Sequence, residues 1–426
     1  MKKYLTLLLV LSVTFFCFSP LMRIEVSAVT KSEWSDGLEF ELSEDGRMYK
    51  ITGVNDELIN IVVPSEYKGI AVTRIEKEAF SETGFKRIKS VKIPDSVTSM
   101  GENVFAGCEK LQEVVLSANL TSIPDGTFWS CSSLQSVIMP DAPEYIGVKA
   151  FRGCKNISAI TIPETVAEIG EEAFYGCTSL ESVSIPDEVT EIPKAAFDGC
   201  ESLATVQIGT GVTQIGLYAF RNCNILTEID LSNVIEIAGE AFCDCTALST
   251  VVFGESLEKI YRAAFKNCIS LENVTIPDSV LHIGEEAFYG CAFANVRLTC
   301  SAEIEDKAFG YKYDSWEERE TKILDFTIEG IPGVGEAQTY AERNAFNFVA
   351  LETPVDDSAD NVYSNDIMNE DDFYDSDASN DYYDYYDSYD SDEPEFNFLI
   401  IIIPIIVILI VVLVIIMKKK GLLLKK

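Results

Sequence analysis

Reaction chemistry in this chain would have to run through one histidine, twelve cysteines and 69 acidic residues among 426. His282 is the sole imidazole, so a Ser-His-Asp or Cys-His nucleophile pair could assemble only around it. It stands in Val280-Leu281-His282-Ile283, between two apolar positions that point inward, which directs its side chain to solvent. A His-Glu-x-x-His zinc helix is absent. The carboxylates are scattered, and no two are singled out as the facing pair that glycoside hydrolysis needs. Asp375, Asp377 and Ser379 open like a calcium loop, but Asn380 stands at the glycine position and Tyr386 at the glutamate position. The residues therefore point away from an enzyme, and no catalytic residue, metal or cofactor is expected.

The cysteines instead lead to the architecture. Nine of them (Cys108, Cys131, Cys154, Cys177, Cys200, Cys223, Cys245, Cys268 and Cys291) each follow a phenylalanine by three residues. The phenylalanines form a ruler: Phe80, Phe105, Phe128, Phe151, Phe174, Phe197, Phe220, Phe242, Phe265, Phe288 and Phe309, spaced 21 to 25 residues apart and most often 23. A fixed period in this range is the mark of a solenoid, in which stacked coils bury one continuous core. Stacking in register aims all nine thiols the same way, whereas a disulfide needs facing Cβ vectors, so they are read as buried free thiols. Cys243 and Cys300 fall outside the register, and their pairing is left open. Gly, Asn, Asp or, once, Ser130 precedes each column cysteine. Such residues tolerate a left-handed backbone, so a tight turn is expected there.

Within one unit, Leu180, Val183 and Ile185 follow an L-x-x-V-x-I pattern, and Pro186 ends the short strand. Repeated at Leu111/Val114/Leu116, Leu134/Val137/Met139 and Leu203/Val206/Ile208, such strands predict one long parallel sheet. A second apolar pair per coil, such as Leu120/Ile123 or Val212/Ile215, then supplies the return path that parallel strands require. The expected fold is a repeat solenoid of about 11 coils of ~23 residues, mostly β and loop.

The unit Ile185-Pro186, Val189, Ile192, Ala196-Phe197, Cys200, Leu203, Val206 resembles the BspA-type leucine-rich repeat, with Pro193 where that repeat usually has glycine. The resemblance runs from about Val62 to Ile328. Segments 37–64 and 337–351 resemble the family's lead-in and C-terminal cap. It implies a surface-displayed solenoid of the kind associated with adhesion to matrix proteins and to neighbouring cells, and it carries no catalytic residues over.

The two ends add a location. Lys2 and Lys3, an apolar run from Leu5 to Phe18 and Val26-Ser27-Ala28 read as a cleaved leader at 1–28. A twenty-residue apolar run at 398–417 has the length of a membrane span, and Lys418 to Lys420 after it place a basic tail, 418–426, in the cytoplasm. Between them lie a lead-in at 29–79, repeats at 80–328, a cap at 329–352 and an acidic stretch at 353–397 expected to be an extended stalk. The expected topology is a single-pass type I membrane protein with an extracellular ectodomain. Sixteen acids and no lysine or arginine fall within 353–399, part of a net charge of −36 that excludes nucleic acid as a partner. Expected partners are extracellular proteins or cell surfaces, with a structural, shielding surface-layer role as the alternative.

Recognition belongs on the outward side of the strands. The residue between the two strand hydrophobics runs Lys92, Val115, Ile138, Thr161, Ser184, Gln207, Asp230, Val252, Thr275 and Arg297. Val115, Trp129, Ile138, Thr161, Ser184 and Gln207 make up the candidate binding face, with Val115 and Ile138 as apolar neighbours beside Trp129.

Overall fold

The computed structural model of the protein describes residues 35–54, 58–81, 87–315 and 318–351. The leader, the acidic stretch, the apolar run at 398–417 and the basic tail lie outside the described residues. Among the described residues no helix is long and apolar enough to cross a membrane.

A single coil explains the rest. Ser182–Ser184 is a strand with Val183 inward, and Ile185 seals the core before Pro186 turns the chain. Val189 and Ile192 point inward again around a two-residue strand, Glu191–Ile192. Ala196, Phe197 and Cys200 then form the third segment, and Leu203 leads into the next strand, all with no measurable exposure. Every apolar column of the sequence repeat is therefore a core column. About 23 residues per coil cannot close a core alone, so each coil depends on its neighbours.

The coils stack through three backbone ladders. The first is parallel and in register: Ser90–Lys92 pairs Glu113–Val115, which pairs Ser136–Ile138, and Ser182–Ser184 pairs Thr205–Gln207. The coil at Ile160 contributes only an isolated bridge from Ala159 to Ser182. The second apolar pair is more than a return path. It forms its own parallel ladder, unbroken from Glu191–Ile192 through Gln214–Ile215, Glu236–Ile237, Lys259–Ile260 and His282–Ile283 to Glu303–Ile304.

The third ladder runs along the phenylalanines without regular strand geometry. The amides of Glu172, Phe174 and Gly176 donate to the carbonyls of Lys194, Ala196 and Asp198 in the next coil, at 2.8 to 3.0 Å. Two left-handed residues per coil let alternate amides face the same neighbour. The residue before each column cysteine is one of them, with φ from 61° to 80°, as expected from its Gly, Asn, Asp or Ser. The second lies two residues before each phenylalanine, with φ from 52° to 61° in all eleven coils. Sequence gave no sign of it, because Glu, Lys, Ala and Tyr occupy most of that column. A left-handed L-residue costs about 1–2 kcal/mol, and the inter-coil hydrogen bond made by the same residue offsets it.

The phenylalanine rings stack nearly parallel, apart from a 27° tilt between Phe128 and Phe151, with centroids 5.0 to 5.5 Å apart from Phe80 to Phe309. The thiol column lies beside them. Each of the nine cysteines donates from Sγ to the phenylalanine carbonyl of the preceding coil at 3.1 to 3.4 Å. They are free thiols, as the stacking argument expects, but they are stitches as well as filler. Cys243 and Cys300 are also free and buried.

The solenoid has about 13 turns rather than about 11. Phe80 belongs to the first turn, whose strand Asn60–Val62 pairs Ser90–Lys92, so counting phenylalanines misses only the last two turns, Thr327–Gly330 and Asn347–Ala350. These turns keep the strand and lack the wedge. An antiparallel pair, Leu38–Leu42 with Tyr49–Val54, caps the N-terminal end, where Phe40 and Tyr67 stack at 4.0 Å. The helix α1, Ala337–Asn344, caps the other end by presenting Tyr340 to Phe309. An antiparallel hairpin, Tyr311–Asp314 with Arg319–Lys322, was not anticipated: its strands carry charge and tyrosine without an aliphatic period.

Candidate functional site

The first ladder turns one residue of each strand inward and two outward, so its outer surface is a grid. Along that grid Ile138 is 50 % exposed, and Thr161, Ser184 and Gln207 are exposed, while Val115 is half-buried. Val115 and Ile138 are direct register partners, so the apolar neighbours of the sequence reading do adjoin. Trp129, also exposed, belongs to a different segment: it follows Phe128 in the third ladder, where its carbonyl accepts from the Gly107 amide. Ser184 and Gln207 are likewise register partners. The outer row one step earlier, Ser136, Ala159, Ser182 and Thr205, is exposed as well.

The column that begins at Trp129 behaves differently, and sequence reading passed over it. It continues as Arg152, Tyr175, Asp198, Arg221, Cys243, Lys266 and Tyr289. Trp129 is exposed and Cys243 bonds Asp244 of its own coil, but the other side chains find partners in the neighbouring coil. Arg152 lies over the Tyr175 ring at 4.4 Å and pairs with Glu172. Asp198, only 2 % exposed, accepts from Arg221 Nε and Nη2 at 3.1 and 2.6 Å and from Asn222 Nδ2 at 3.3 Å. Burial raises the Asp198 carboxyl above its ordinary range, and Arg221 opposes that shift. Lys266 bridges Glu286 at 2.7 Å and covers the Tyr289 ring. The alternation of base, aromatic ring and acid at 23-residue spacing was visible in the sequence, but its meaning needed the rungs. This side is internally partnered. The strand grid is open.

His282 is less exposed than expected. It sits 6.0 Å from the Tyr261 ring centroid, with Glu303 and Glu305 of the next coil 3.9 and 3.8 Å from its two nitrogens. Among the described residues neither a serine nor a cysteine pairs with it. The thiols are unsuited to nucleophilic work: burial pushes Cys108, Cys177 and Cys245 up to about 12. Among the described residues no group of three His, Cys, Asp or Glu side chains could hold a metal ion.

A stack of parallel strands, thiol stitches and phenylalanine wedges defines a repeat scaffold of the leucine-rich type, a class that recognises proteins through its surface. A family model described as the BspA type leucine rich repeat region matches residues 55–181, 167–295 and 235–314, in six copies. The chain belongs to that family. Among solved structures it is similar to a leucine-rich repeat protein of T. pallidum, at 30 % identity over 44 % of this chain and 87 % of that one, with a TM-score of 0.41. It is also similar to a leucine rich cell surface protein of Faecalibacterium prausnitzii, at 23 % identity over 76 % and 95 % of the two chains, with a TM-score of 0.40. The pneumococcal vaccine antigen PcpA is similar at 15 % identity over 75 % and 98 %, with a TM-score of 0.36. Among curated proteins none matches.

Proposed function

We propose that the protein is a cell-surface solenoid for adhesion or protein recognition, held to the membrane by the apolar run at 398–417 and binding through its strand grid. The observation that carries this reading is the contrast between sides: the phenylalanine side is cross-linked by its own ion pairs and stacked rings, while the grid leaves Ile138, Thr161, Ser184 and Gln207 exposed. A solenoid offers an extended surface in place of a pocket, which suits a macromolecular partner. The leader and the basic tail supply the topology that puts this surface outside the cell.

The test is binding of the purified chain to immobilised matrix proteins and to neighbouring cells. Saturable binding that weakens when Ile138→Lys and Ser184→Lys are introduced together supports the reading. An absence of saturable binding to every protein and cell surface tried sinks it and leaves a shielding role.

A further inference from the structure

The grid changes character along the axis. On the four rungs from Ser136 to Gln207, the eight outward residues are Ser136 and Ile138, Ala159 and Thr161, Ser182 and Ser184, Thr205 and Gln207. All eight are exposed and none is charged, on a chain that is 24 % charged overall. Charge closes the patch at both ends, with Glu113 before it and Glu228 and Asp230 after it.

Immediately past the strands, the turns and second strands of three consecutive coils (139–147, 162–170 and 185–192) hold Asp141, Glu144, Glu164, Glu168, Asp187, Glu188 and Glu191. All seven are exposed. These spans contain no lysine or arginine, and none of the seven makes an ion pair among the described residues. The next coil's turn, 208–216, has no charge at all. Unpaired acids are densest in these coils: the equivalent spans 93–101 and 276–284 hold one acid each, Asp95 and Asp278, and others such as Glu172, Glu236 and Glu286 are paired with bases.

From this juxtaposition we propose that the uncharged grid and its acidic flank form one docking strip for a basic amphipathic helix of a partner protein, laid along the solenoid axis. The proposal rests on the protein-recognition reading above and names the partner's chemistry. Charge complementarity selects a basic partner: lysines or arginines on one flank of the helix face the carboxylates, and small uncharged residues face the grid. Spacing selects a helix. The grid's rungs are hydrogen-bonded parallel strands, which lie about 4.8 Å apart. A helical turn rises about 5.4 Å, so over four rungs the mismatch accumulates to about 2 Å, less than half a rung. One turn then meets each coil, and the i, i+4, i+7 series presents a side chain to each rung. An extended strand along the same axis repeats its like-facing residues every ~6.7 Å and drifts out of step after one rung.

The experiment uses the full chain and three synthetic peptides of equal length and net charge: a helix with alanine and serine on one face and lysine flanking it, a scrambled version, and the first peptide with a central proline pair. The amphipathic helix is expected to bind at least tenfold tighter than either control, and its affinity is expected to fall as salt rises. The variant Glu164→Gln, Glu168→Gln, Glu188→Gln, Glu191→Gln is expected to lose about tenfold in affinity. These four side chains are exposed and make no hydrogen bond among the described residues, so the variant is expected to fold, which circular dichroism checks. A second variant, Thr161→Lys with Ser184→Lys, is expected to abolish binding from the grid side. Equal affinity for the three peptides, or no response to either variant, overturns the docking strip while leaving general protein recognition standing if matrix or cell binding persists.

Discussion

At the scale of single residues, the cysteine column has the clearest physical consequences. An unfolded thiol ionises near 9.0, whereas the buried Cys177 and Cys245 hold their protons up to about 12 because burial disfavours the thiolate. Between those values the unfolded chain has released protons that the folded chain still binds. Stability is therefore complete below pH 9 and is lost as pH rises toward 12. Urea midpoints measured from pH 8 to 10.5 are expected to fall steadily. A Cys154→Ala, Cys177→Ala, Cys200→Ala variant, less stable at pH 8, should show a shallower decline, and an unchanged slope would exclude the thiols as the cause. Left-handed positions give a second prediction. Gly176 has φ +67° and open space where a Cβ would go, so Gly176→Ala should cost about 1 kcal/mol through backbone strain alone, as chemical denaturation would report. This turn was legible, because Gly, Asn and Asp advertise it. The second left-handed column, at Glu172, Ala195 and Tyr218, was not, because its conformation is imposed by hydrogen bonds to the next coil and leaves no mark on residue type.

At the scale of elements, termination explains what repetition cannot. In ten coils the phenylalanine amide donates to a carbonyl of the following coil, as Phe288 does to Ala308 at 2.9 Å. Phe309 has no such coil after it. Its amide donates instead to the Tyr340 hydroxyl at 3.0 Å, and that hydroxyl donates to the Phe309 carbonyl at 2.9 Å. Helix α1 thus stands in for the missing coil with one phenol, whose ionisation burial pushes upward. Tyr340→Phe keeps the ring and strands a buried amide, so it should destabilise the C-terminal end by about 1–3 kcal/mol. Hydrogen exchange offers a local readout: protection should fall at Phe309 and Tyr340 and stay unchanged at Phe174, and uniform loss would contradict a capping role. The cap was recognisable from its resemblance to known ends, but this hydrogen bond was not, since nothing in Tyr340-Ala341 points back 31 residues. The hairpin Tyr311–Asp314 with Arg319–Lys322 was hidden for a related reason. It is held by polar contacts, with Lys322 donating to the Asn344 carbonyl and Lys307 pairing with Glu320 at 2.8 Å, and polar contacts have no period.

For the whole molecule, stability should be close to a sum over coils and their interfaces, so chain length and register become separable variables. The phenylalanine, cysteine and strand columns were readable as a 23-residue frame, and the structure makes that frame a physical unit. Deleting residues 155–177 removes one complete period, with Thr178 joining Cys154 and Phe151 standing 23 residues before the next phenylalanine, Phe197. It also removes the coil whose first-ladder contact is only the Ala159 bridge, so Ser136–Ile138 would meet Ser182–Ser184 directly. Arg152 loses Glu172 and Tyr175 but comes beside Asp198, the occupant of its column one coil later. The shortened chain is expected to fold cooperatively, with a urea m-value reduced by roughly one thirteenth, in proportion to the surface it no longer buries. Deleting only residues 155–165 removes about half a period and sets Phe174 against the wrong columns, burying polar residues where wedges belong. That chain should lack the β-rich circular dichroism of the full protein. If the full-period deletion unfolds while the half-period deletion survives, coils are not the units of folding, and the modular account of this solenoid fails.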